Sequence, residues 1–140
     1  MTLRLFCYCL TVLLLFSATK SMAENSLKPC PDRPNCVSSL AADNEHKILP
    51  MSYGGDRATA RLRLLSALAQ LDHAEIVEDT ALFLRIKVTS ALLRFVDDVT
   101  FVFDDENELI QMRSASRSGY YDFGVNRRRL EAIRELYEQQ

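Results

Sequence analysis

Glycine is scarce in this sequence, with four residues in 140. No glycine-rich stretch could cradle a phosphate, and no Gly-x-Ser-x-Gly turn presents a nucleophile. Histidine is scarcer still. Only His46 and His73 occur, so a Ser–His–Asp triad would have to use one of them. No second cluster of cysteine or histidine exists to complete a zinc site, and no metal or cofactor is expected. Low-complexity tracts and internal repeats are also missing. What remains, 48% hydrophobic and 26% charged residues, is the balance of a globular chain and not of a disordered one.

Long apolar runs are lacking too. A membrane-spanning helix needs roughly 17–25 apolar residues. The longest run here, Leu5 to Phe16, has about a dozen. Arg4 precedes it and the small-x-small triplet Ser21-Met22-Ala23 follows it, which is the pattern of a secretory signal peptide cleaved after Ala23. The reading is therefore residues 1–23 as signal and residues 24–140 as a single domain, exported to the periplasm or secreted. The alternative is an uncleaved anchor, and only through that segment would the chain associate with a membrane. Cys7 and Cys9 lie inside the apolar run without a lipobox, so lipidation is not expected.

Removing residues 1–23 takes away Arg4 and Lys20 and no acid, leaving 15 basic and 19 acidic residues, a net charge of −4. Nonspecific nucleic-acid binding needs a net basic surface, so no nucleic-acid partner is expected. Cys30 and Cys36 remain as one pair. In an oxidising compartment a disulfide is the reading for them. Their spacing is looser than the Cys-x-x-Cys of a redox pair, and Pro31 and Pro34 stiffen the turn between them.

Periodicity predicts an α+β fold: an antiparallel sheet of about four strands with two amphipathic helices packed on one face. Asp56 is the expected N-cap of a helix reaching Leu71, with Ala58, Leu62, Leu65, Leu68 and Ala69 as its apolar stripe and Arg57, Arg61 and Arg63 in solvent. Strands are expected at Glu75–Glu78, Leu82–Thr89, Val99–Phe103 and Leu109–Ser116, with a hairpin turn at Asp104–Asn107 and a possible short strand at Lys47–Leu49. A terminal helix from Val125 to Tyr137 would turn Leu130, Ile133, Leu136 and Tyr137 inward, with Arg127–Glu131 and Arg134–Glu138 as surface pairs.

One cluster departs from ordinary surface patterning. Arg127, Arg128 and Arg129 open the last helix, where positive charge opposes the macrodipole. Asp97, Asp98, Asp104, Asp105 and Asp122 are candidate partners from the neighbouring hairpin and loop. In Arg113-Ser114-Ala115-Ser116-Arg117, alternation places the arginines on one face of a strand and the serines on the other. Two readings stand. In one, Asp97, Asp98 and Asp122 pair with Arg113, Arg117 and Arg127 in a network that orients sheet and helix. In the other, the arginines and the free N–H groups of the helix start bind a small anionic ligand or an envelope component. Catalysis has less behind it. Asp97 and Asp98 are consecutive and point to opposite faces of a strand, and Ser38, Ser39, Ser114 and Ser116 lie in no nucleophile motif. His46 sits in a loop beside Asp43 and Glu45, and His73 follows a helix end.

The sequence resembles the DUF1499 family of uncharacterised proteins. The resemblance is carried by Pro29-Cys30-Pro31 through Pro34-Asn35-Cys36-Val37-Ser38-Ser39, by Arg94-Phe95-Val96-Asp97-Asp98, by Arg113-Ser114-Ala115-Ser116-Arg117-Ser118-Gly119-Tyr120, and by Asp122-Phe123-Gly124-Val125-Asn126-Arg127-Arg128-Arg129. It implies a bacterial envelope or secreted protein and assigns no catalytic roles. The functional expectation is a non-enzymatic exported protein. Its cluster of Arg113, Ser114, Ser116, Arg117, Asp122, Asn126, Arg127, Arg129, Asp97 and Asp98 forms one polar locus that organises the fold or binds an anion or partner. The competing expectation is a hydrolase acting on an envelope component, with Asp98 or His46 as acid/base.

Overall fold

The computed structural model describes residues 27–140. The expected signal segment and its cleavage site lie outside the described residues. The elements run β1 (Cys36–Ser38), β2 (Met51–Ser52), α1 (Arg57–Leu68), β3 (Ala74–Asp79), β4 (Phe83–Thr89), β5 (Val96–Asp104), β6 (Leu109–Ser116) and α2 (Val125–Glu138). Strands β3 to β6 pair in sequence order as an antiparallel meander. Both β1 and β2 then line the far side of β6, against Arg113–Ala115 and Leu109–Ile110 respectively.

The α+β class and the antiparallel sheet agree with the expectation, but the sheet has six strands, not about four. The two additional strands have three and two residues, too few to show a period of two. Lys47–Leu49 is no strand; Lys47 makes only an isolated bridge to Ser38.

Cross-strand register builds the core in rows. Phe103, Ile110 and Met51 form one row and Leu84, Phe101 and Met112 the next, followed by Ile86, Val99, Ser114 and Val37. The last row is Val88, Asp97 and Ser116. One face thus grades from apolar to polar along the strands, because side chains at every second position share a face. Both helices cover that face. Leu64, Ala60 and Leu68 of α1 and Leu130, Ile133 and Tyr137 of α2 belong to a single buried cluster with the sheet residues.

Asp56 caps α1 as expected, accepting from the Thr59 backbone N–H at 2.9 Å. The inward stripe of α1 is shifted, however: Ala60, Leu64, Ala67 and Leu68 are buried, whereas Leu62 is exposed. Leucine and alanine occur on nearly every side of this helix, so composition alone does not fix its rotation. Contacts with the neighbours do. Arg57 and Arg61 form ion pairs with Asp105 and Asp79, and Arg63 lies 4.4 Å from the centre of the Tyr137 ring. All three arginines were expected in solvent. On α2, Arg134 pairs with Glu131 and not with Glu138, and also donates to the Pro50 and Leu49 carbonyls.

Cys30 and Cys36 form a disulfide. It fastens residues 27–35 to β1, whose strand partner among the described residues is β6. Closing so short a loop stabilises the fold by about 2–2.5 kcal/mol in the chain-entropy picture. Replacing both cysteines with alanine is expected to lower the unfolding free energy by about that amount, read from urea denaturation. A reductant should bring the parent chain to the same midpoint.

Candidate functional site

The polar end of the helix-covered face is where the predicted residues gather. Asp97 and Ser116 are direct cross-strand partners, and Ser114 lies one row further in. The start of α2 lands on this row and inserts Asn126, whose side chain is fully buried. Its Oδ1 accepts from Ser114 Oγ at 2.5 Å and from Arg129 Nη1 at 2.8 Å. Its Nδ2 lies 3.0 Å from the Asn35 carbonyl, 2.9 Å from Ser116 Oγ and 2.8 Å from Asp122 Oδ2. Two amide hydrogens thus serve three acceptors, so one bond is shared.

Arg129 completes the set. Its Nη1 also donates to Ser114 Oγ, and its Nη2 reaches Asp97 Oδ2 at 2.5 Å. Both members of this ion pair are largely buried, at 12% and 7% side-chain exposure. A buried pair of this kind adds little net stability, but removing one partner strands the other charge.

The helix start explains the unusual run of arginines. Gly124 occupies the N-cap position with φ 74° and provides no side-chain cap. Asp122 supplies the anion instead, accepting from the Gly124 and Asn126 backbone N–H groups at 2.8 and 2.9 Å. The carboxylate sits where the macrodipole favours negative charge. The three arginines then turn away from one another. Arg127 donates to the Lys47 and Glu45 carbonyls, Arg128 to the Phe123 carbonyl, and Arg129 to Asp97.

On the opposite face of the sheet, Arg117 holds Asp98 through two bonds, Nε to Oδ2 at 2.9 Å and Nη2 to Oδ1 at 2.8 Å. The Arg117 guanidinium keeps the Asp98 carboxyl below the usual carboxylate range. Arg113 is on this face too, half-buried beside the Pro29 carbonyl, and its Nε has no partner among the described residues. Burial lowers its pKa, against the pull of Asp98.

The expectation of one polar locus is therefore corrected. Asp97, Ser114, Ser116, Asp122, Asn126 and Arg129 converge beneath α2. Asp98, Arg113 and Arg117 form a separate group on the outer face, and Arg127 binds loop carbonyls elsewhere. The pairing of Arg113, Arg117 and Arg127 with three aspartates reduces to one pair, Arg117–Asp98, while Asp97 takes Arg129. The division into faces follows the alternation expected for β5 and β6.

Asn35 was missed as part of the cluster. It is buried, its carbonyl accepts from Ser116 N–H and Asn126 Nδ2, and its own Nδ2 donates to the Gly119 carbonyl. Only its place in the quoted family motif could have marked it. A cleft of about 470 Å3 at the other end of the sheet, lined by Tyr53, Asp56, Arg57, Arg61, Asp105 and Glu108, was also unforeseen. Within it the Tyr53 hydroxyl donates to Asp105, and burial together with that bond pushes its pKa up to about 12.

His46 is buried and has both ring nitrogens engaged. Nδ1 lies 2.8 Å from Asp43 Oδ1 and Nε2 3.0 Å from the Arg33 carbonyl. Such a pair of acceptors favours the imidazolium, and the Arg33 carbonyl is the main cause of its raised pKa. Among the described residues no three His, Cys, Asp or Glu side chains are placed to hold a metal, and no helix is long and apolar enough to cross a membrane.

A small, disulfide-bearing α+β domain with a polar cluster pinned by an asparagine at the start of its last helix is the class that this geometry defines. The chain belongs to the family described as a protein of unknown function, DUF1499, which it matches over residues 26–136. No curated protein and no solved structure matches it.

Two measurements check the site. Asn126→Ala leaves buried hydroxyls, a carbonyl and Asp122 short of partners, and is expected to lower stability by about 2–4 kcal/mol in urea denaturation. The raised pKa of His46 contributes stability that is complete below its ordinary value of 6.5 and is lost as pH rises through the folded value. The urea midpoint of the parent should therefore fall on that alkaline limb, and His46→Gln should flatten it.

Proposed function

We propose that this chain is a non-enzymatic exported protein of the cell envelope, whose Asp97–Arg129–Asn126–Ser114–Ser116–Asp122 cluster organises the fold. The observation that carries this reading is the closure of the cluster. The side chains of these six residues are bonded to one another or to backbone, and Asp122 accepts from the Gly124 and Asn126 N–H groups at the helix start, while the neighbouring Asn35 Oδ1 is buried with no partner among the described residues. Export draws its support from the apolar leader in the sequence and from the Cys30–Cys36 disulfide, a bond that persists in oxidising compartments. An anionic ligand or partner, if the protein has one, belongs on the outer face. There Arg113 is half-buried with no carboxylate within ion-pair distance among the described residues, and Arg117 is half exposed.

The hydrolase reading has less support. A general acid near neutrality needs a raised carboxyl pKa, and Asp98 is shifted downward by Arg117. His46 has both nitrogens occupied by Asp43 and the Arg33 carbonyl.

The two kinds of arginine give opposite expectations. Arg129→Ala strands buried Asp97 and should cost about 3–5 kcal/mol. Arg117→Ala breaks a solvent-exposed pair and should leave the urea midpoint close to that of the parent. Calorimetric titration of residues 24–140 with phosphate, sugar phosphates and cell-wall fragments tests the outer face. Salt-sensitive binding lost in Arg113→Ala and Arg117→Ala, and retained in Arg127→Ala, places the ligand there. Turnover of a cell-wall fragment by the purified domain, abolished by Asp98→Asn, would overturn the non-enzymatic reading.

A further inference from the structure

The end of the sheet beyond the polar row carries two loops with an unusual surface. The β4–β5 turn presents Leu92, Leu93 and Phe95, and the loop from β6 to α2 presents Tyr120, Tyr121 and Phe123. All six are more than half exposed, with Leu92 at 89% and Phe123 at 77%. The loops are anchored side by side. Arg117 N–H donates to the Val96 carbonyl at 2.9 Å, joining the base of one to the base of the other. Within the second, the Tyr121 and Phe123 rings meet edge to face with centroids 4.9 Å apart.

The exposed positive charge at these loops comes from two arginines, Arg94 in the β4–β5 turn and Arg128 in the first turn of α2. Arg94 and Arg128 are exposed and have no carboxylate partner among the described residues. The single acid in the two loops, Asp122, has its oxygens occupied by Gly124 and Asn126. Asp98, at the adjacent strand start, is neutralised by Arg117. Arg94 and Arg128 are thus the exposed cations of this end, with one exposed acid, Asp72, beside the β4–β5 turn, where the Thr89 N–H donates to the His73 carbonyl.

We propose that these two loops form a membrane-docking surface, inserting Leu92, Leu93, Phe95, Tyr120, Tyr121 and Phe123 into the interfacial layer of a bilayer with anionic headgroups. The inference goes beyond the envelope role proposed above and depends on neither its ligand nor its lack of catalysis. Leucine and phenylalanine gain by leaving water, tyrosine keeps its hydroxyl at the headgroup level, and arginine meets lipid phosphate. Exposed apolar side chains flanked by Arg94 and Arg128 suit a soft, negatively charged bilayer surface. A protein partner would need to bring both a concave apolar site and acids of its own. Peripheral attachment of this kind scales with the apolar area inserted and with attraction to anionic lipid.

Residues 24–140 hold the entire sheet, both helices and the disulfide, and they lack the apolar leader that would bind lipid by itself. Sedimentation of this domain with vesicles of phosphatidylglycerol and phosphatidylethanolamine, and with vesicles of phosphatidylcholine alone, tests the proposal. Binding is expected on the anionic vesicles, weaker on the zwitterionic ones and reduced by salt. The double substitution Leu92→Ser with Leu93→Ser, and separately Phe123→Ser, should each lower the partition coefficient about tenfold. Arg94→Gln should weaken binding to anionic vesicles alone. Leu49→Ser and Leu62→Ser, exposed positions outside both loops, should bind as the parent does. Retention of the parent urea midpoint marks a loop variant as folded, and the two loops give independent variants should one fail. Absence of binding to either vesicle overturns the proposal. So does equal loss in Leu62→Ser, or folded loop variants that bind like the parent.

Discussion

The buried side-chain amide of Asn126 is the interaction on which the arrangement depends. Asparagine offers both donors and acceptors on one rigid plane, and here they reach four segments at once. These are the backbone before β1 at Asn35, strand β6 at Ser114 and Ser116, the loop at Asp122, and Arg129 one turn along the same helix. No apolar residue could meet so many buried polar atoms, and an aspartate would provide acceptors without donors. The apolar contacts of Leu130, Ile133 and Tyr137 hold α2 against the sheet, but hydrophobic packing is non-directional. The amide bonds set where along the strands the helix begins.

Three consecutive arginines at a helix start are electrostatically unfavourable in isolation, and two local solutions make them tolerable. Asp122 places a carboxylate against the first N–H groups, and the left-handed Gly124 turns the chain so that it can do so. Positive φ is accessible to glycine without the steric penalty other residues meet. An added Cβ at Gly124 would also lie 3.1 Å from Arg128 Nη1. The guanidinium groups, separated by about 100° per residue around the helix, then reach three different sets of oxygens. The tight sequence cluster becomes a spatially dispersed one.

This geometry explains how far the sequence was legible. Alternation in β5 and β6 correctly separated Asp97 from Asp98 and the serines from the arginines, since period two is a local property of a strand. The cap of the first helix at Asp56 and the start of the second at Val125 were also readable, although the first helix ends at Leu68 and not at Leu71. The rotation of α1 was not, because Leu62, Leu64 and Leu65 are equally apolar and only tertiary contacts select Leu64 for the interior. The partners of the arginines were not readable either. Asp97 and Arg129 are 32 residues apart, and their meeting depends on where the Asn126 amide fixes the helix. Strands β1 and β2 escaped for a related reason: each exists only because β6 offers an unpaired edge.

The polar cluster and the exposed loops are two consequences of one termination. The core rows end at Val99 and Ser114, and beyond them the sheet must satisfy backbone and side-chain polarity without apolar cover. It does so internally, by directing Asp97, Ser114, Ser116 and Asn126 at one another. Apart from the buried Asn35 Oδ1, which has no partner among the described residues, the side chains of this network already satisfy one another, and any newcomer must replace bonds made at good geometry. The segments just outside it are under the opposite condition. The β4–β5 turn and the β6–α2 loop are held at their bases by Arg117 and Asn35, yet their apolar and cationic side chains remain in water. Fixed loop bases make a surface there cheap to preorganise, because little backbone freedom is left to lose when it meets a partner. The proposed recognition surfaces, the loop tips and the outer arginine face, flank the buried amide that keeps the structure.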